Sequence, residues 1–308
     1  MQDQTHSARR PHTMTPLQFH KYHGLGNDYL VCHRAVADQL SNEHIRILCH
    51  RHYGVGSDGL LIDSGDQTHP TLRIINPDGS EAEKSGNGLR IYARYLFDSG
   101  RVGHEPFLVH TAGGDVYCTV ESDFHQISVD MGRANFNPAA LPALVNLPEA
   151  VNYPLTLADE TLSVVLVSMG NPHCVVLVDK LDLEQVHRLG PQIEHHALFP
   201  KRCNVQFVEI VDRHTLKIGI WERGAGFTMA SGSSSCAAAS AMRRLGKVDD
   251  RVDVNMPGGQ LHITFDADFQ VRMRGPVHKI ASLTLDKDCF VGGSAIFTGA
   301  ALQMARAA

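Results

Sequence analysis

No stretch of the chain approaches the roughly 18 consecutive apolar residues that a membrane-spanning helix needs, so no span is expected. There is no Cys-x-x-Cys pair. The seven cysteines, at 32, 49, 118, 174, 203, 236 and 289, are odd in number and scattered. That pattern disfavours a disulfide framework or a zinc ribbon and points to a reducing, cytoplasmic compartment. Nineteen histidines occur without a His-Glu-x-x-His spacing. His50 with His52, and His195 with His196, read as solvated pairs rather than as a metal site. The formal net charge is only -5, too mild to suggest a nucleic-acid footprint, which would need a basic face. There is no P-loop, Gly24-Leu25-Gly26-Asn27-Asp28-Tyr29 is not a dinucleotide fingerprint, and no pyridoxal lysine is recognisable, so no cofactor is expected. The opening MQDQTHSARRPHT lacks the apolar segment of a secretory signal and reads as a disordered tail over 1–16, with Met14 a candidate start.

What is present is a chain of 308 residues, 43% apolar and 20% charged, enough for two ordinary domains. Alternation from Leu17 to His23 predicts a strand, and Tyr29–Cys32 another, with a glycine-rich loop between them. Ser41 is placed to cap a helix carrying Ile45, Leu48 and Cys49. Further strands are expected at 60–62, 71–75, 106–111, 115–120 and 126–131. A polar, proline-containing break follows at 135–154. Beyond it, strands are expected at 163–169, 174–178, 204–211, 215–221, 252–256, 260–265 and 270–274, with a helix near 182–189. Many strands and few helices argue for an α+β fold rather than a doubly wound parallel sheet.

The two halves rhyme. Ser85-Gly86-Asn87-Gly88 precedes Leu89, Tyr92, Ala93 and Leu96, spaced as one face of a helix. Ser231-Gly232-Ser233-Ser234 precedes Ala238, Ala241, Met242 and Leu245 at the same spacing. Gly100 and Gly246 stand where each helix should stop. An internal duplication explains this, each copy placing a Ser-Gly turn at a helix N-terminus, with Ser85 and Ser231 facing each other across a cleft. A helix N-terminus offers free N–H groups and the positive end of a dipole. Two of them opposed would grip one carboxylate and stabilise the charge that develops when the neighbouring carbon loses its proton. This suits proton transfer at the α-carbon of an amino acid.

Several motifs carry a resemblance to a known family. Lys21-Tyr22-His23-Gly24-Leu25-Gly26-Asn27-Asp28-Tyr29, Asn76-Pro77-Asp78-Gly79-Ser80-Glu81, Gly86-Asn87-Gly88, Met169-Gly170-Asn171-Pro172-His173-Cys174, Glu222-Arg223-Gly224-Ala225-Gly226, and Pro257-Gly258-Gly259 with Leu261 resemble, in order and spacing, the segments of diaminopimelate epimerase from about residue 17 to 295. The resemblance implies two pseudo-symmetric domains, each an antiparallel β-sheet or barrel wrapped around a central helix, over 17–135 (completed by 278–300) and 136–277. It implies a free amino acid as substrate, no cofactor, and a homodimer as the candidate assembly. The two catalytic cysteines of the family fall on Ser85 and Ser231, and His173 and Glu222 are further catalytic candidates. Asn76, Asn204 and Arg223 would hold the distal end of the substrate. Asn27, Asn171 and the backbone of Gly86, Asn87, Gly232 and Ser233 would hold the reacting end.

The chain also departs from the family pattern. A serine hydroxyl is far less acidic than a thiol and needs an adjacent base to react. Gly59, Phe227 and Met229 replace Gln, Glu and Gln, which makes the expected pocket less polar. Lys84 reads as a solvated loop lysine, with a role over the pocket as the alternative, and Cys236 as core packing. Besides epimerisation of diaminopimelate, two readings stay open: a racemase, isomerase or dehydratase of another small acid in the same superfamily, and a ligand-binding homologue without turnover.

Overall fold

A computed structural model describes residues 16–291. The first half runs β1 (Gln18–Gly24), β2 (Asn27–His33), the short helix α1 (Arg34–Ala37), α2 (Asn42–Cys49), β3 (Leu60–Asp63), β4 (Leu72–Ile75), β5 (Glu81–Ala82), the long helix α3 (Gly86–Asp98), then β6 (Phe107–Thr111), β7 (Gly114–Val120) and β8 (Gln126–Arg133). The second runs β9 (Tyr153–Thr156), β10 (Thr161–Ser168), β11 (Pro172–Val178), α4 (Leu183–Glu194), β12 (Asn204–Asp212), β13 (Thr215–Glu222), β14 (Gly226–Thr228), α5 (Gly232–Arg244), β15 (Arg251–Met256), β16 (Gly259–Phe265) and β17 (Gln270–Pro276). A last strand, β18 (His278–Thr284), returns to pair with β1. The expected tail lies outside the described residues apart from Pro16, as does the end of the 278–300 segment beyond 291.

The duplication is written in the strand pairing. β1 pairs antiparallel with β2, β2 parallel with β3, β3 antiparallel with β4, and β4 antiparallel with β5. In the second half β10, β11, β12, β13 and β14 repeat the same sequence of antiparallel, parallel, antiparallel and antiparallel steps. Each half then enters its long helix and leaves it into a three-strand meander, β6-β7-β8 or β15-β16-β17. The two meanders meet edge to edge through β8 and β17, which joins β6-β7-β8 to the strands of the second half in one 12-stranded sheet, while β18-β1-β2-β3-β4-β5 form a separate 6-stranded sheet. The expected antiparallel sheets also contain a few parallel steps. Those inside the repeated pattern arise because the connections from β2 to β3 and from β11 to β12 cross over through α2 and α4.

Helices α3 and α5 lie at the centre. Each was expected to bury a single face, yet burial runs almost all round: every residue of α3 from Gly86 to Arg94 is buried, and in α5 only Ser233 and the last two residues escape. A sheet that curls around a helix covers more than the one stripe that a flat sheet can. Ala237, Ala238, Ala239 and Ala241 keep α5 narrow enough to sit inside its wrap. Side chains of both helices share one apolar cluster, in which Leu89 and Tyr92 join Ala238 and Met242. Each helix also ends alike. Gly100 and Gly246 adopt φ of 72° and 69°, and the following residues donate back to the carbonyls of Leu96 and Met242.

Candidate active site

Ser85 and Ser231 are the N-caps of α3 and α5, with backbone angles of -141°, 122° and -146°, 127°. Each side-chain oxygen accepts a helix N–H, from Gly88 at 3.1 Å and from Ser234 at 3.4 Å. The two helix ends touch. A Cβ built on Gly232 would lie 3.3 Å from the Gly86 Cα and 2.9 Å from the Met273 sulfur, so a side chain there would press on the facing backbone and displace Met273. The glycines are needed for this close approach and not for an unusual φ, since neither lies in the left-handed region. Two dipole ends thus converge on one spot.

Each helix end is held by an asparagine from the same place in its half. Asn87 on α3 donates to Asn27 Oδ1 at 3.1 Å, and Asn171 Nδ2 lies 3.4 Å from the Ser233 hydroxyl on α5. Gly26 and Gly170, immediately before these asparagines, have φ of 86° and 90°. Asn27 is fixed in turn by Asp58 at 2.8 Å. Asp58 belongs to a charged network in which Arg51 reaches both Asp28 and Asp58 at 2.6 Å and Lys21 reaches Asp28 at 3.0 Å. Behind Asn87 lies Arg90, fully buried and with no carboxylate partner among the described residues, donating to Asn87 Oδ1 at 2.7 Å. Burial lowers its guanidinium to about 10, still charged at neutral pH, so it adds positive potential beneath the helix end.

Glu222 ends β13. Burial raises its carboxyl above the ordinary range, and the Ser231 and Thr228 side chains oppose the rise. On the other side, burial pushes the Tyr29 phenol up to about 12, the Ser85 and Asn27 side chains opposing the rise. His173 sits differently. It is fully buried, its Nε2 meets Asn171 Oδ1 at 2.8 Å, and burial pushes its imidazole down to about 3, with Gln206 opposing. It is placed to orient Asn171 as a neutral ring.

The distal candidates divide. Asn204 accepts the Arg223 backbone N–H at 3.0 Å and donates to the Pro172 carbonyl at 3.0 Å, so these two residues adjoin Glu222 at one corner. The Arg223 guanidinium is exposed, touches the Lys201 carbonyl at 3.4 Å, and has no carboxylate partner among the described residues. Asn76 is tied to its own turn through Ser80 at 3.0 Å. Lys84 is not the solvated residue expected. It is partly buried, and burial lowers its ammonium, the buried Cys236 and Cys118 thiols opposing. Phe227 packs on His187 with ring centres 4.7 Å apart, whereas Met229 is half exposed. Two recesses elsewhere, of about 480 and 460 Å³, involve Arg213, Asp249, Arg243 and Asp250 in one and Arg101 and Asp63 in the other. Their charges already pair with one another, and neither recess reaches the serines.

Sequence reasoning passed over Tyr29, Asp58, Thr228, Gln206 and Arg90. Tyr29 was visible only as the end of a motif, and nothing in its spacing linked it to Ser85.

Solved structures share this doubled architecture. A hydroxyproline epimerase from Agrobacterium vitis superposes with a TM-score of 0.64 over 90% of this chain and 94% of its own, at 15% identity. A probable proline racemase from Agrobacterium radiobacter gives 0.62 over 89% and 94%, at 16% identity. The fold is therefore that of the racemases and epimerases built as two like halves around a shared centre. Within that class the sequence profile of diaminopimelate epimerase matches residues 19–137 and 165–280. Diaminopimelate epimerase 2 of Nostoc sp. is 44% identical over 89% of this chain and 97% of its own. The diaminopimelate epimerase of Pseudomonas entomophila is 40% identical over 86% and 97%. The chain belongs to the diaminopimelate epimerase family.

Proposed function

We propose that the protein interconverts LL- and meso-diaminopimelate by proton transfer at the α-carbon, an isomerase in the supply of lysine and peptidoglycan precursors. The observation that carries this reading is the contact between Gly86 and Gly232, which opposes two serine-capped helix ends. A substrate carboxylate held there would receive N–H donors from both sides, and its α-carbon would lie between Ser85 and Ser231. Glu222, poised by burial, serves Ser231 as the base. Asn27 and Asn171 hold the two helix ends in register, and His173 orients Asn171. Arg223, with Asn204 and Asn76, takes the distal end of the substrate, where a planar fork of donors fits a carboxylate. A cytoplasmic setting accords with seven free cysteines, six of them buried, and no described helix is long and apolar enough to cross a membrane. A homodimer is the proposed assembly.

Calorimetric titration with LL- and meso-diaminopimelate, proline and hydroxyproline tests the substrate class. Diaminopimelate should bind best, and Arg223→Lys should weaken it at least tenfold, because a point charge cannot reproduce the fork. Equal binding of proline, or an indifferent Arg223→Lys variant, would favour a relative acting on another acid.

A further inference from the structure

We propose that Arg90 is a positioning residue of the reaction: its buried guanidinium clamps the contact between the two helix ends and supplies the positive charge that the substrate's reacting carboxylate neutralises. The proposal deepens the reading given above and rests on it.

The guanidinium is tied to both sides of the helix contact. Its Nη2 donates to Asn87 Oδ1 at 2.7 Å, and Asn87 directly follows Gly86. Its Nη1 lies 3.5 Å from the Met273 sulfur. That methionine underlies both glycines. Its methyl would stand 3.1 Å from a Cβ built on Gly86, and its sulfur 2.9 Å from one built on Gly232. From Asn87 the hydrogen bonds run on through Asn27 to Asp58, so Arg90 is the inner end of the chain that fixes the loop between β1 and β2. Two further glycines make the room. A Cβ on Gly24 would meet Nη2 at 3.0 Å, and one on Gly275 would meet Nη1 at 3.2 Å. Strands β1 and β17 therefore pass the guanidinium with no side chain in between.

The charge itself has no opposite number. Arg90 is fully buried, no carboxylate among the described residues pairs with it, and its Nε has no hydrogen-bond partner. The other cations of this corner, Lys21 and Arg51, are already paired with Asp28 and Asp58. Packing alone does not ask for a cation here. Arg90 stands five residues past Ser85, and the residue five past Ser231 is Cys236, equally buried. A thiol fills the place in one half and a guanidinium in the other. Burying an unopposed charge costs stability. The arrangement fits a site whose anion arrives with the ligand.

The distances are short enough to matter. Helical side chains lean toward the N-terminus, and five residues of helix rise about 8 Å, so the guanidinium comes within about 8 Å of Ser85. At that separation and an effective dielectric of about 20, one unit charge changes the equilibrium for forming another by about 30-fold. When the α C–H bond breaks, its electron pair spreads into the carboxylate, which gains negative charge, while Arg90 neither gives nor takes a proton. Its effect is therefore larger on the transition state than on the bound substrate.

The test separates charge from clamp in the full-length protein. Arg90→Lys keeps a charge, Arg90→Gln keeps a donor for Asn87 without the charge, and Arg90→Met keeps neither. In a Ser85→Cys background the introduced thiol reports the potential at the helix end. Its alkylation is followed against pH, and its peptide is identified by mass spectrometry so that the seven other cysteines do not count. The thiolate fraction at a given pH should fall by about 10- to 30-fold in Arg90→Gln and Arg90→Met, and stay within about threefold in Arg90→Lys. With Ser85 in place, the two neutral variants should bind diaminopimelate about tenfold more weakly by calorimetry. Their kcat for α-hydrogen exchange in heavy water should fall at least a further tenfold. A residue that only fills space would alter the melting temperature and leave the thiol's titration where it was. An unmoved titration in the neutral variants, or Arg90→Lys behaving like Arg90→Met, would overturn the proposal while leaving the epimerase reading intact. If neither neutral variant folds, the Ser85→Cys protein decides alone: a thiol that titrates below about 7 supports the proposal, and one above it overturns it. An unaltered protein that neither binds diaminopimelate nor exchanges its α-hydrogen would defeat that reading and this proposal together.

Discussion

At the scale of single residues, the site is organised by what burial does to side chains that cannot leave. His173 is the clearest case. Free in an unfolded chain, an imidazole titrates near about 6.5, whereas burial pushes this one down to about 3. Between those values the unfolded chain binds a proton that the folded one refuses. The stabilising contribution of the neutral ring is complete above about pH 6.5 and is lost progressively as the pH falls toward 3. Urea unfolding at pH 7 and 4.5 should reveal a loss of about 2–3 kcal/mol from this residue. His173→Gln should remove most of that dependence; an identical pH dependence in the variant would mean that another group carries it. The sequence motif identified His173 as a site residue but could not reveal its environment. Lys84 went the same way: alternation of side chains along an extended segment suggested solvent, while the wrap of the first half left it partly buried. Motif spacing records which residue follows which, and burial depends on what the rest of the chain places on top.

At the scale of elements, the turn-then-helix repeat was legible because its signals are local. Ser85 and Ser231 cap, Gly100 and Gly246 terminate, and the apolar spacing between them predicts the helix. Ser41 likewise caps α2, in a reciprocal box with His44. What escaped were elements too short for a period to develop, such as α1, β5 and β14, and the seven-residue strand β18. The end of α4 was missed as well: the helix runs on through Pro191, which a propensity argument treats as a stop. The contact of α3 with α5 could not be read from either helix alone, because it depends on the two meanders joining at β8 and β17. That contact yields a sharp prediction. Gly232→Ala would set a methyl 3.3 Å from the Gly86 backbone, which cannot move as the Met273 side chain can. The variant should lose about 1–3 kcal/mol of stability and bind diaminopimelate at least tenfold more weakly. Gly246→Ala, whose added methyl meets nothing within 4 Å but must adopt a φ of 69°, should lose stability and keep its affinity. Equal affinities in the two variants would show that the helix contact is not the binding locus.

At the scale of the molecule, one chain has used the same plan twice and then broken its symmetry where chemistry occurs. The backbone keeps the repeat, down to matching angles at the two serines. The side chains do not: by strand register Glu222 holds the place in the second half that Asn76 holds in the first, and His173 the place of Tyr29. Epimerisation asks for such a division, since one face of the carbon must release a proton while the other supplies one. The central claim is that this happens between the two helix ends. Its most direct measurement is incubation of the pure protein with LL-diaminopimelate in heavy water, with the isomers separated and the deuterium at each α-carbon located by NMR. The account predicts meso product carrying deuterium at the inverted carbon alone. It also predicts that Ser85→Cys with Ser231→Cys speeds inversion, because each thiol is a better proton carrier on the same helix end. Substrate recovered without inversion or deuterium, from both the unaltered protein and the double cysteine variant, would contradict it.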